Sequence, residues 1–197
     1  MRMAENVIMR GRGRPREAEK DEAIREATWD LLAQVGYDGL TFEAVAEAAG
    51  ISRTTLYRRF SAKSALVANA LYETSRRMER EMAVSGDPAT ELLTHVRNAQ
   101  AFMTGARGRA VVTITESASR TPELADATRA ATGGDERRVL DLLSRLRPHA
   151  SRDKLQLALS VIVGTVMFHQ AMRGGAMPAN GAQALAAAAM AVLDAPE

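Results

Sequence analysis

The sequence predicts an all-α protein. An N-terminal three-helix domain with a helix-turn-helix is joined by a long helix to a helical body, about nine helices in all. Three observations carry this. Alanine is abundant and the alternation of β-branched residues that marks strands is missing. Apolar residues recur at helical spacing, and capping residues, prolines and glycines stand where helices should start and stop. Six of the eight aromatics (Trp29, Tyr37, Phe42, Tyr57, Phe60 and Tyr72) lie in the first 72 residues, where a small domain needs bulky side chains to build a core.

From Lys20 to Val35, Ile24, Ala27, Leu31 and Val35 form a stripe with Trp29 at its edge, and Gly36 ends the helix. Thr41 caps a second helix over Phe42–Ala49, and Ser52 a third over Arg53–Phe60. Ser61 caps a long fourth running to about Val84. Asp87-Pro88 opens another helix, to about Ala106. Gly105 and Gly108 interrupt before Arg109–Ser119, and Thr121-Pro122 starts a helix that stops near Gly133-Gly134. Asp135–Arg147 follows, then a long uncharged helix capped by Ser151, a loop at Gly174-Gly175, and Gly181–Leu193.

Leu155 to Met172 holds eighteen residues without a charge, the length at which a membrane span is considered. Its polar residues lie on every face, which favours a helix packed among helices over one in lipid. The start MRMAENVIMR has no apolar run of the kind a signal peptide needs, and Met3 and Met9 are alternative starts; the expected location is cytoplasmic. With no cysteine there is no disulfide framework or thiolate site, and three separated histidines leave little for a metal. No cofactor or metal is expected. Nucleophile-elbow, zinc-protease, Walker and dinucleotide patterns are all missing, so the chain does not read as an enzyme.

The formal net charge of +2 conceals a pattern. Residues 1–16 carry a net +4, residues 17–50 a net −7, residues 51–63 a net +4, and the rest is nearly balanced. Two cationic segments without balancing acids fit a phosphate-binding footprint. The second falls on the third helix. There Arg53, Thr54, Tyr57 and Arg58 share one face, opposite the core-facing Val45, Ile51, Leu56 and Phe60. Guanidinium, hydroxyl and phenol groups on one helical face suit base edges and phosphates in a major groove.

The run Gly36-Tyr37, Leu40-Thr41-Phe42, Val45-Ala46, Ala48-Ala49-Gly50-Ile51-Ser52, Thr55-Leu56-Tyr57, Phe60, Lys63 and Leu66 resembles the signature of the tetracycline-repressor (TetR) family, over roughly residues 20–72. Two departures are Thr54, where glycine is common, and Arg59, where histidine is common. The resemblance implies a sequence-specific DNA-binding regulator of transcription, a repressor released from a palindromic operator on double-stranded DNA by a small molecule. An architectural or ligand-independent DNA-binding protein stands as the alternative. Carried over by residue, Thr41 and the N–H groups beside it bond a phosphate, and Ser52 caps the recognition helix at the same surface. Arg53 and Thr54 reach base edges with Arg58 beside them, Thr55 and Tyr57 touch phosphates, and Lys63 anchors the fourth helix to DNA. Tyr57 also reads as a core aromatic, and Thr41 and Ser52 as caps alone.

The residues ahead of this domain, 1–16, read as a flexible basic arm, with residues 17–62 as the DNA-binding domain and 63–197 as the body. Gly11-Arg12-Gly13-Arg14-Pro15-Arg16 resembles an AT-hook, in which Arg12, Arg14 and Arg16 enter a narrow A·T minor groove; a nonspecific basic tail is the plainer reading.

For the body the resemblance implies a homodimer through the last two long helices and an effector beside the connecting helix. Ser160, Gly164 and Phe168, at i, i+4 and i+8, with Leu185 on the last helix, are the dimer candidates; a wholly internal core is the alternative. Met78, Met82, Leu92, Val96, Phe102, Met103 and Ile114 are the effector candidates, though methionines at helical spacing also suit an ordinary core. With two aromatics in the body, an aliphatic ligand is expected over a flat cationic one, and His95 and His169 could add polar contacts.

Overall fold

The computed structural model describes residues 14–81, 85–175 and 177–196. Among the described residues stand nine α-helices and no strand: α1 (Arg14–Gly39), α2 (Phe42–Ala48), α3 (Arg53–Arg59), α4 (Lys63–Glu81), α5 (Pro88–Phe102), α6 (Gly105–Ala118), α7 (Pro122–Leu146), α8 (Arg152–Arg173) and α9 (Gly181–Asp194). Side-chain oxygens satisfy the free N–H groups at four of the starts. Thr41, Ser52, Asp87 and Ser151 accept from Ala44, Thr55, Thr90 and Lys154 respectively. Pro15, Pro88 and Pro122 fall in first turns, where a missing N–H costs nothing.

Two cores hold the helices together. The first gathers Trp29 and Leu32 of α1, Val45 of α2, Leu56 of α3 and Leu66 and Val67 of α4, and continues into Ala110 and Ile114 of α6. The second lies among α5, α7, α8 and α9, around Leu92, Val96, Leu143, Ile162 and Ala189. Burying each large aliphatic side chain here contributes roughly 1.5–3 kcal/mol. The N-terminal core therefore does not close at residue 62. It is completed by α6, a helix that reaches it only after some forty intervening residues.

Local features differ from the sequence reading. The buried stripe of α1 is Ile24, Thr28 and Leu32 with Trp29 at its centre, while Val35 is 51% exposed. The stripe is rotated because α1 is covered by α6 as well as by its own domain. Regular helix does end at Gly36, which at φ +69° takes a conformation other residues rarely hold, but one more turn follows to Gly39. No helix starts at Ser61, since α4 begins at Lys63. Gly108 does not interrupt α6 but sits in its first turn, where a Cβ would collide with the Met103 carbonyl. The Gly133-Gly134 pair does not stop α7, which runs through it for 25 residues. Two glycines cost about 1 kcal/mol each against alanine in a helix interior. Packing of α7 on α4, α5 and α8 outweighs that.

Candidate nucleic-acid interface and effector cavity

The turn between α2 and α3 is built on Gly50, whose φ of +62° lets the chain reverse, and Ile51 N–H closes it on the Ala46 carbonyl at 2.9 Å. Val45 and Leu56 are fully buried beneath it. Arg53, Thr54, Tyr57 and Arg58 are left exposed together on the outer face of α3. Thr55 is half-buried; its hydroxyl pairs with that of Ser52 at 2.8 Å, so both serve the start of α3. Thr41 is exposed while its hydroxyl caps α2 at 3.2 Å.

Tyr57 is 54% exposed and so is no core aromatic. Its ring stacks on Phe42 with centroids 4.7 Å apart, and its hydroxyl donates to Glu43 at 2.9 Å. That bond raises the Tyr57 pKa. Backbone N–H bonding at the start of α2, followed by the Tyr57 hydroxyl, lowers that of Glu43. A carboxylate thus stands at the edge of the cationic face, a partner the charge pattern alone did not reveal. Arg59 pairs with Glu17 and Asp21, tying α3 to the start of α1. Lys63 donates to the carbonyls of Tyr37 and Asp38 at 2.7 and 3.3 Å and lies over the Tyr37 ring at 4.4 Å. Its ammonium closes the C-terminal end of α1 in the free protein.

Arg12 lies outside the described residues. The helix α1 begins at Arg14, which places Arg14, Pro15 and Arg16 in its first turn rather than in an extended arm.

In the body, α4 to α8 line a cavity of about 740 Å³ that is open to the surface on one side. Of the effector candidates, Phe102, Met103 and Ile114 line it, joined by Leu71, Val111 and, from α8, Ile162, Val163 and Val166. Leu92 and Val96 do not reach it: both are packed into the second core. Met78 lines a separate cleft of about 370 Å³ between α4 and α7, and Met82 lies outside the described residues. The α8 contribution escaped the sequence reading because its β-branched residues read as ordinary core. His95 and Asp135 border both spaces, with Nε2 and Oδ2 3.6 Å apart. Burial pushes the His95 pKa down; Asp135 opposes this and Arg138 adds to it. His169 stands edge-on to Phe168 at 6.0 Å, outside the cavity lining.

Residues 24–70 match the family model of the bacterial regulatory proteins, tetR family. Over that stretch the chain is similar to the members of that family. Among its relatives, the HTH-type transcriptional regulator YdeS of Bacillus subtilis is 31% identical over 100 residues, 51% of this chain and 50% of its own length. The chain thus spans half the length of that relative. The HTH-type transcriptional repressor KstR of Rhodococcus jostii is 29% identical over 152 residues, 76% of this chain and 70% of the repressor. These relatives are regulators, not enzymes. Among solved structures, Salmonella enterica GusR superposes with a TM-score of 0.68 at 18% identity, covering 94% of this chain and 98% of GusR. The TetR family regulator SCO0332 gives 0.65 at 24% identity, covering 90% and 100%. At these identities the two structures speak for the fold.

One face of α8 is left uncovered. Ala158, Leu159, Ile162 and Val166 are buried, whereas Leu157, Val163, Phe168 and Met172 are 56, 52, 51 and 71% exposed. Ser160 and Gly164 are exposed with them. Leu185 departs from the expectation: at 5% exposure it belongs to the protomer's own core, because α9 turns that side inward and Ala184, Ala187, Ala188 and Ala191 outward.

Proposed function

We propose that this chain is a TetR-family protein, a homodimeric, sequence-specific regulator of transcription in the cytoplasm, released from a palindromic operator when a small molecule fills the body cavity. The observation that carries the reading is the outer face of α3, where Arg53, Thr54, Tyr57 and Arg58 project together from a capped helix over a buried core. Arg53 and Thr54 address base edges; Thr41, Ser52, Thr55, Tyr57, Arg58 and Lys63 address phosphates nearby. Arg12, Arg14 and Arg16 add attraction from the N-terminal side. Repression is supported by the Rhodococcus relative, itself a repressor.

The exposed apolar stripe of α8 beside the alanine face of α9 supports pairing of two copies through these helices. Pairing sets two α3 helices against successive major grooves, roughly 34 Å apart. Ligand control follows from the shared core: Ile114 and Phe102 line the cavity and pack against the core around Trp29. An occupant that prefers a splayed dimer by about 100-fold contributes ~2.7 kcal/mol of coupling, enough to release DNA.

Footprinting on duplexes selected from a random library tests the reading. Two protected major grooves one helical turn apart on one face are expected. Continuous protection without phase would refute it.

A further inference from the structure

Two adjoining spaces of opposite character meet at His95. The cavity is walled mainly by apolar side chains. The α4–α7 cleft is not: Arg76, Arg137 and Arg138 line it against Glu79 and Asp135. Within the cleft Arg138 is only part satisfied. Its side chain is 22% exposed, and its Nε is buried without a hydrogen-bond partner. Its Nη1 reaches Glu79 of α4 across a long 3.4 Å contact. A buried guanidinium nitrogen without an acceptor is costly, and a carboxylate is the acceptor whose geometry suits a guanidinium best.

We propose that the cleft seats the carboxylate head of an amphiphilic effector whose aliphatic body fills the larger cavity, the head taking Arg138 from Glu79. The inference rests on the effector-controlled reading above and names the effector's class. Its consequence is mechanical. The Glu79–Arg138 pair bridges α7 to α4, the helix that leads into the DNA-binding domain. A competing carboxylate at Arg138 unfastens that bridge, while the tail occupies space beside Phe102 and Ile114. A cationic head would instead seek Asp135 and Glu79, and an uncharged one would gain nothing from the cleft.

Titration calorimetry on the full-length chain with decanoate, decan-1-ol and decylamine separates the three heads. Decanoate is expected to bind one per chain, about tenfold or more tighter than the other two. Arg138→Gln abolishes that advantage. Glu79→Gln, which removes the competitor, tightens decanoate about twofold to fivefold, a gain that misfolding cannot produce. No decanoate binding, equal binding of the three, or an advantage that survives Arg138→Gln overturns the headgroup assignment. The DNA-binding reading is judged separately, by footprinting without any amphiphile, and survives such a result. Tight decanoate binding that leaves DNA affinity unchanged counts against effector control instead, and with it against the inference.

Discussion

The indole of Trp29 and the ring of Phe102 meet edge to face, their centroids 5.6 Å apart. Trp29 is buried at the centre of the α1 stripe, and its Nε1 donates to Thr74 of α4 at 3.1 Å. Phe102 ends α5 and lines the cavity. One ring contact therefore joins the DNA-binding domain's core, the connecting helix and the cavity wall. Arg107 strengthens the same seam, meeting both carboxylate oxygens of Glu26 at 2.7 Å.

Phe102→Leu is expected to lower stability by about 1–2 kcal/mol, from lost ring area and the lost edge contact. Trp29 is the single tryptophan, so its emission reports on this contact directly. Urea unfolding followed by fluorescence measures both; unchanged stability with unchanged native emission would mean that the rings meet without consequence.

Glu43→Gln is expected to tighten DNA binding. The substitution removes a carboxylate from a face proposed to meet phosphates and leaves an amide oxygen to hold the Tyr57 hydroxyl. The gain should be largest at low salt and shrink as salt rises. Affinity below that of the wild type at every salt concentration would show that Glu43 is needed for the pose of Tyr57.

The caps at the turn can be weighed singly. Ser52→Ala should cost about 1 kcal/mol of stability through the lost bond to the Thr55 N–H. The loss of DNA affinity should exceed what unfolding explains if α3 carries the reading residues as proposed. Thermal melts beside binding isotherms distinguish the two effects; wild-type affinity in the variant would make Ser52 a cap alone.

Acid should weaken the fold through His95. Burial lowers its folded pKa below the ordinary value, so between the two values the unfolded chain binds the proton the folded chain refuses. Stability contributed by neutral His95 is present above the ordinary histidine pKa near 6.5 and is lost as pH falls below it. Melting temperatures at pH 7.5 and 5.5 should differ more for the wild type than for His95→Gln. Equal differences in the two proteins would place the acid sensitivity elsewhere.

Much of the architecture was legible in the sequence because it is written locally. Thr41, Ser52, Asp87 and Ser151 each announce a helix start through a side chain that can reach only its own first turn. The helix-turn-helix was legible for the same reason: Gly50, Val45 and Leu56 are close in sequence as well as in space. What was not legible depends on distant packing. Leu31 and Val35 keep perfect helical spacing, yet Thr28 and Leu32 are the residues fully buried. Gly133-Gly134 carries a stop signal that flanking helices override. Leu185 looked like an interface residue because an alanine run cannot reveal which side faces inward. The cavity lining from α8 and the role of Arg138 emerge only once α4, α7 and α8 are side by side.

The central claim is a sequence-specific regulator that reads DNA through α3. The most direct test is selection of genomic fragments by the purified chain at about 150 mM salt, beside Arg53→Ala. The wild type should recover a few palindromic sites, with the variant losing about 1–3 kcal/mol at each and relaxing its preference. Diffuse recovery of A·T-rich fragments, the same with and without Arg53, would contradict it and leave an architectural DNA-binding protein.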